Sequence, residues 1–209
     1  MFGFGAVLLC HFIFTKQLTV GHGYDIHKMS DSPESLESPH PLTLGGITIS
    51  QSLHVDSHSD GDALLHAIAD AILGAAGLPD IGMWFPDSSP DTKDLSSSII
   101  FKEVVFKVMD LNWRVMSIDG TIVLQRPKLA TFMVPMINNV LRLIDEAKHE
   151  IEGSKLRMSW LENVPFIGKK VFGSVVPAMN VKFRTNEGLD SVGDGKAVVC
   201  YAVVLLERS

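Results

Sequence analysis

HSDGDALLHAIADAILGAAG, residues 58–77, is the stretch whose reading decides the fold. Ser59 and Asp60 read as the opening of a helix, because a small polar acceptor ahead of an apolar-periodic run satisfies free backbone N–H groups. Leu65, Ile68, Ala69 and Ile72 recur at helical spacing and mark a buried stripe, and Gly77 is a natural stop. Asp62, His66 and Asp70 follow one another at intervals of four residues, so both carboxylates fall on the His66 face and are candidates to orient its second ring nitrogen. An ordinary capped surface helix would also carry Asp70. His58 and Ser59 precede the helix, where free N–H groups and the helix dipole favour an anion such as phosphate.

Outward from this helix, Leu18 to Tyr24 and Leu42 to Ile49 read as strands, separated by a loop from Ser30 to Pro41 rich in Ser, Pro and acidic residues. A second helix is predicted over Ser97 to Leu111, with Ile100, Val104, Val108 and Leu111 on one face, then a strand over Val115 to Leu124 and a third helix over Met136 to Ile151. No period is sustained between Glu152 and Val176, which reads as an irregular excursion. Met179 to Thr185 and Ala197 to Glu207 close the chain as strands, the last almost continuously apolar in VVCYAVVLL and so buried on both faces. The elements alternate without a strict strand-helix-strand rhythm. The expected class is therefore α+β, a mixed sheet with helices packed on one face, rather than a doubly wound sheet.

The chain has 209 residues, 46% of them apolar and 20% charged, enough for one domain with an insertion. Its net charge of −6, with no run of Lys and Arg, argues against a nucleic-acid groove, so an anionic ligand must be met locally. Cys10 and Cys200 form no Cys-x-x-Cys pair and read as small buried hydrophobes. Phe2 to Phe14 is apolar but short of the ~20 residues that a membrane-spanning helix needs, so no membrane partner is expected. Residues 1–16 read as a leader or signal-like segment, or as a buried one, ahead of a single domain over 17–209.

Six of the eight histidines lie between positions 22 and 66. Asp25 and His27 stand two apart on or just past a strand, so their side chains share a face and can converge on one ion. His66 arrives from the helix. One carboxylate with two imidazoles leaves a tetrahedral position open, the style of a catalytic zinc site. Lys128, in LQRPKLA (124–130), sits beyond a proline-fixed turn and offers a second anion-friendly element, although lone lysines in turns are usually solvated.

GHGYDIH, then the block from His58 to Pro90, then TIVLQRPKLA, then NVKFRTNEGL, occur in the order of the motifs of the 2-C-methyl-D-erythritol 2,4-cyclodiphosphate synthases, and the chain resembles that family over most of residues 18–207. The resemblance implies a trimer-forming sandwich with active sites between subunits of a homotrimer. It implies an intramolecular phosphoryl transfer that converts a cytidine diphosphate-linked substrate, 4-diphosphocytidyl-2-C-methyl-D-erythritol 2-phosphate, to the cyclic diphosphate and CMP in non-mevalonate isoprenoid biosynthesis. Asp25, His27 and His66 match the zinc ligands, and Glu187 matches the carboxylate for a second divalent cation, Mg2+ or Mn2+. His58 and Thr185 match the catalytic positions that steady the phosphates, with Ser59 beside His58. Asp80, Ile81 and Gly82 resemble the ribose contacts, and Phe85, Pro86, Asp87, Ser88 and Ser89 a loop along the erythritol. Leu124, Pro127, Lys128, Leu129 and Ala130 would surround the cytosine, while Phe183, Arg184 and Asn186 flank the substrate beside Thr185 and Glu187.

Departures cluster after Glu187. The family usually continues with an aromatic and an Arg where LDSVGDGKA places Ser191 and Asp194, and Arg184 stands where a small hydroxylic residue is common. This altered stretch motivates an alternative, a non-catalytic homologue that binds cytidine nucleotide or a pathway partner. A third reading is an unrelated zinc hydrolase. The segment from about 143 to 178 is longer than in bacterial members and reads as an insertion; with the leader it points to a plastid, either apicoplast or chloroplast, over a bacterial-type cytoplasm.

Overall fold

The computed structural model describes residues 16–86, 94–152, 170–171, 174–175 and 177–208. Strands β1 (Gln17–Ser30), β2 (Pro39–Leu44), β3 (Ile47–Asp56), β4 (Trp113–Val123), β7 (Ala178–Arg184) and β8 (Ala197–Arg208) form one sheet in the order β2-β3-β1-β8-β4-β7. Only β4 and β7 run parallel, so the sheet is mixed. A separate pair is formed by β5 (Lys170–Val171) and β6 (Ser174–Val175). Helices α1 (Ala63–Ala76), α3 (Ser97–Asp110) and α4 (Met133–Glu152) cover one face, with the short α2 (Ile81–Trp84) after α1 and α5 (Asp190–Gly193) before β8. The α+β class with helices on one face is what the sequence predicts. Among the described residues no helix is long and apolar enough to cross a membrane.

The first strand explains why α1 sits where it does. Along β1 the inward positions Gly21, Gly23, Asp25, His27 and Met29 alternate with exposed Leu18, Val20, His22, Tyr24 and Ile26. A Cβ at Gly21 or Gly23 would lie 1.9 Å from the carbonyl oxygens of Ala71 and Ala67 respectively, so strand backbone meets helix backbone and only glycine fits. The alanines of α1 permit the same approach from the other side, and eleven of its fourteen residues are buried. α3 packs against α1 with Phe101, Val104, Val105 and Val108 fully buried, each such side chain contributing roughly 1.5–3 kcal/mol.

Three readings of the sequence need correction. β8 is not buried on both faces, because Tyr201 and Val203 point away from the helices and are exposed. The run from Leu42 to Ile49 is not one strand but a hairpin, because Gly45 and Gly46, with φ of +61° and +73°, supply the two-residue turn that such a tight reversal needs. Helix α1 begins at Ala63, with Asp62 as its cap, later than a start at Ser59 and Asp60. Its stop is Gly77, in the left-handed conformation. Residues 143–152 of the expected insertion belong to α4, and Cys200 is buried. The leader through residue 15, with Cys10, and residues 153–169 of the excursion lie outside the described residues.

Candidate metal centre and cleft

The sheet and α1 bring Asp25, His27 and His66 together. Asp25 Oδ2 lies 3.0 Å from His27 Nε2 and 3.2 Å from His66 Nδ1, while Oδ1 accepts the Ile26 N–H at 2.9 Å. Two donor atoms each about 2.0–2.1 Å from one tetrahedral ion are roughly 3.3 Å apart, so these separations fit the edges of a zinc coordination polyhedron. His27 Nε2 is buried and its close approach to Asp25 Oδ2 is poorly aligned for a hydrogen bond, an arrangement that suits two donor atoms sharing a cation. Burial of Asp25 opposes its charged form, but hydrogen bonds and charge from His27 and His66 outweigh this and hold its carboxyl well below the usual carboxylate range. Burial likewise works against a charged His66, and the hydrogen bond and charge of Asp25 overcome it and raise the ring above its ordinary value.

The second nitrogen of His66 is not met by Asp62 or Asp70. His66 Nε2 lies 2.8 Å from Ser97 Oγ at the first residue of α3, and Ser97 in turn donates from its hydroxyl to Asp60 Oδ1 and from its N–H to Asp60 Oδ2 at 3.0 Å. Asp62 is fully buried and spent elsewhere, accepting from Leu65 N–H at 3.0 Å as the helix cap, from Gly45 N–H at 2.8 Å and from Gly46 N–H. Burial pushes its carboxyl up to about 6 despite those three bonds. Asp70 accepts from Ile81 N–H at 2.8 Å and thereby pins α2. Ser97 and Asp60 escaped the sequence reading because Ser97 stands 31 positions beyond His66, a separation that no local pattern encodes.

The Asp25, His27 and His66 cluster opens into a cleft of about 380 Å³, lined also by the loop Asp56 to Ser59 and by Ile81, Gly82, Phe85 and Ile100. His58 Nε2 faces no hydrogen-bond partner although buried, and Ser59 Oγ accepts the Gly61 N–H at 3.2 Å. Both precede the start of α1 by several residues, and in its first turn the Leu65 N–H is taken by the Asp62 carboxylate. Asp80 caps α2 by accepting from Met83 N–H. Pro86 follows Phe85, while Asp87, Ser88 and Ser89 lie outside the described residues.

The other predicted residues gather away from this cleft. Ile26 pairs with Val199, Val199 with Val123, and Val123 with Arg184, which puts Asp25 and Thr185 at the same end of the sheet but three strands apart. Three spacings of ~4.8 Å amount to roughly 14 Å. There Thr185 Oγ1 donates to Glu187 Oε1 at 2.8 Å, and Glu187 holds a left-handed backbone with φ of +51°. Asn186 donates to Asp190 Oδ2 at 2.8 Å, and Arg184 turns its guanidinium back onto Phe183 O at 2.8 Å. Phe183, Leu124 and Leu129 pack against the core, and Leu124 N–H is taken by Arg184 O at 2.9 Å. Pro127 follows a cis peptide, and Lys128 and Ala130 are exposed. In the altered stretch Asp194 pairs with Lys196 at 2.8 Å, and the Arg126 guanidinium lies over Gly195.

A helix-covered mixed sheet that presents a strand Asp-x-His pair and a helix His around one point defines an α+β domain with three side chains that could hold a divalent metal. The YgbB family model matches residues 18–172. The chloroplastic 2-C-methyl-D-erythritol 2,4-cyclodiphosphate synthase of Arabidopsis thaliana is 34% identical over 194 residues, 93% of this chain and 69% of the relative. The synthase of Fusobacterium nucleatum is 35% identical over 191 residues, 91% of this chain and 98% of the relative. Among solved structures, IspF of Plasmodium falciparum, described as a CDP complex, superposes with a TM-score of 0.65 at 28% identity, covering 92% of this chain and 97% of that one. The chain belongs to the YgbB family, the 2-C-methyl-D-erythritol 2,4-cyclodiphosphate synthases of isoprenoid biosynthesis.

Proposed function

We infer that this chain cyclises 4-diphosphocytidyl-2-C-methyl-D-erythritol 2-phosphate to 2-C-methyl-D-erythritol 2,4-cyclodiphosphate with release of CMP. The observation that carries this reading is the convergence of Asp25, His27 and His66 at tetrahedral spacing on the floor of a cleft. In the reaction an oxygen of the substrate's 2-phosphate bonds to the β-phosphorus while the bond from that phosphorus to the bridging oxygen breaks, and the electron pair leaves with CMP. The nucleophile belongs to the substrate, so the protein's work is alignment and charge neutralisation.

Asp25, His27 and His66 would hold a zinc ion and Glu187 a Mg2+ or Mn2+ ion, which when bound supply Lewis-acid neutralisation of the diphosphate oxygens. Glu187 needs no protein cage for that role, since Mg2+ commonly takes one or two carboxylates and fills its shell with phosphate and water. The unpartnered Nε2 of His58 is available to a phosphate oxygen at the cleft, with Ser59 beside it. Thr185 serves the phosphates from the Glu187 side. Ile81 and Gly82, fixed by Asp70 and Asp80, form the wall assigned to the ribose, and Phe85 with the following loop flanks the erythritol. Leu124, Pro127, Lys128, Leu129 and Ala130 surround the cytosine, with Phe183, Arg184 and Asn186 beside them.

A homotrimer with active sites between copies accounts for the separation of roughly 14 Å between the two halves of the site within one chain. The sheet face away from the helices supports it. Leu18, Val20, Tyr24, Ile26, Tyr201 and Val203 are all exposed there, and an apolar strip of that length is suited to burial against further copies. We place the protein in a plastid, with residues 1–16 as its leader and 17–209 as one domain, on the strength of the apolar N-terminal sequence and its chloroplastic plant relatives.

The purified protein, supplied with zinc, magnesium and substrate, should yield the cyclic diphosphate and CMP by phosphorus NMR. Product no greater than that of His66→Ala would refute the cyclase reading, CDP binding without product would favour the binding-only alternative, and open-chain phosphates would indicate a hydrolase.

A further inference from the structure

Ser97 has a single hydroxyl proton, and two neighbours compete for it: His66 Nε2 at 2.8 Å and Asp60 Oδ1. The carboxylate oxygens of Asp60 can only accept, and they take both the hydroxyl and the backbone N–H of Ser97. The proton therefore goes to Asp60, and the 2.8 Å contact with His66 is a hydrogen bond only if Nε2 carries the hydrogen and donates. A neutral His66 ring protonated at Nε2 has its lone pair on Nδ1, which faces the Asp25 and His27 cluster 3.2 Å from Asp25 Oδ2, so Ser97 must hold the ring proton against that carboxylate, which receives a hydrogen from Nδ1 when the ring is charged. Ser97 is fully buried and does not line the cleft, so its hydroxyl is left with His66 and Asp60 as partners.

We propose that Ser97 and Asp60 act together as positioning residues that fix the tautomer and ring orientation of His66, so that Nδ1 is held ready for a divalent cation. The proposal rests on the reading of Asp25, His27 and His66 as a metal site and extends it to two residues on different elements. Neither touches the substrate or the ion. The second partner of a ligating imidazole typically governs affinity by 10- to 100-fold.

The test titrates Zn2+ into the full-length, metal-stripped protein against a chromophoric chelator and reads the His66 ring by nitrogen NMR at a pH at which it is neutral. Ser97→Ala is expected to bind Zn2+ roughly 10- to 100-fold more weakly and to redistribute the ring proton between the two nitrogens. Asp60→Asn is expected to act in the same direction, because its amide can donate to Ser97 Oγ and release the hydroxyl proton toward Nε2. Wild-type protein with the His66 proton on Nδ1 overturns the proposal whether or not either variant folds, and so does a folded Ser97→Ala with wild-type Zn2+ affinity. Asp25→Ala separates the two levels. If it too binds Zn2+ normally, the metal reading itself fails; if it loses Zn2+ while Ser97→Ala does not, only the positioning role falls.

Discussion

Replacing Gly23 by alanine should weaken zinc binding without touching any ligand. The new Cβ would lie 1.9 Å from the Ala67 carbonyl oxygen, and since such contacts are essentially never closer than 3.0 Å, β1 and α1 must part by about 1.1 Å. Ala67 is the neighbour of His66, so the opening falls at the turn that carries the ligand, whereas Asp25 and His27 stay on β1. Metal sites tolerate ligand displacements of about 0.2 Å, and the displacement is several times larger. Zinc affinity should fall at least tenfold, roughly the lower end of the cost of misorienting a ligand, and overpacking should cost about 1–3 kcal/mol, lowering Tm by roughly 2–12 °C. Gly21→Ala is the control, because its equally close 1.9 Å clash is with Ala71, more than a turn beyond His66; it should cost similar stability and less zinc affinity. Chelator competition and thermal unfolding on both variants provide the readout. A folded Gly23→Ala protein with wild-type affinity, or equal zinc losses in the two variants, would show that strand-helix spacing does not set the ligand geometry.

Glu187→Gln should leave zinc content at the wild-type level by metal analysis and lower kcat by roughly a hundredfold, the scale of losing one charge-stabilising contact to the transition state, whereas His66→Ala should lose zinc itself. In metal-free protein, the stability advantage of wild type over Asp25→Asn should be greatest between about pH 4 and 6.5, as read by urea unfolding. The depressed Asp25 carboxyl contributes fully above its unfolded value and loses its contribution as pH falls through its folded one, while the raised His66 contributes fully below its unfolded value and loses it as pH rises through its folded one. Val20→Glu, which places a charge in the middle of the exposed apolar strip, should shift the mass measured by light scattering from trimer to monomer.

Much of the fold was legible because α1 and α3 carry apolar residues at helical intervals and because β8 is almost unbroken hydrophobic sequence. The β2–β3 hairpin was missed for a local reason: the apolar positions continue on both sides of Gly45–Gly46, and the turn adds no polar loop residues to announce it. The convergence of three side chains was legible from Asp25 and His27 on one strand face, with His66 supplied by the adjacent helix. The partner of the outer His66 nitrogen was not. Asp62 and Asp70 have the ideal four-residue spacing, but a carboxylate at a helix start is drawn to backbone N–H groups, and one beside the next helix is drawn to that helix's own free N–H. Ser97 reaches His66 through the packing of α3 on α1, which depends on tertiary structure and not on spacing.

That same four-residue spacing has a different use. Three positions one turn apart, from the cap of α1 onward, hold three separate elements: Asp62 binds the Gly45–Gly46 turn, His66 meets Asp25, and Asp70 binds the first N–H of α2. The helix is in turn seated on β1 by two glycines on the same strand face as Asp25 and His27, two and four residues before Asp25. Strand and helix therefore meet without side chains between them at the point where their ligands must converge, and the distance across the metal-ligand cluster is set by backbone contact instead of by adjustable side-chain packing. A close-packed interior transmits such a contact with little slack. Movement of α1 would carry His66 and the Ile81–Gly82 wall together, so the geometry of the cluster and the shape of the adjoining cleft are tied to one element, while Thr185 and Glu187 follow β7 at the far edge of the sheet.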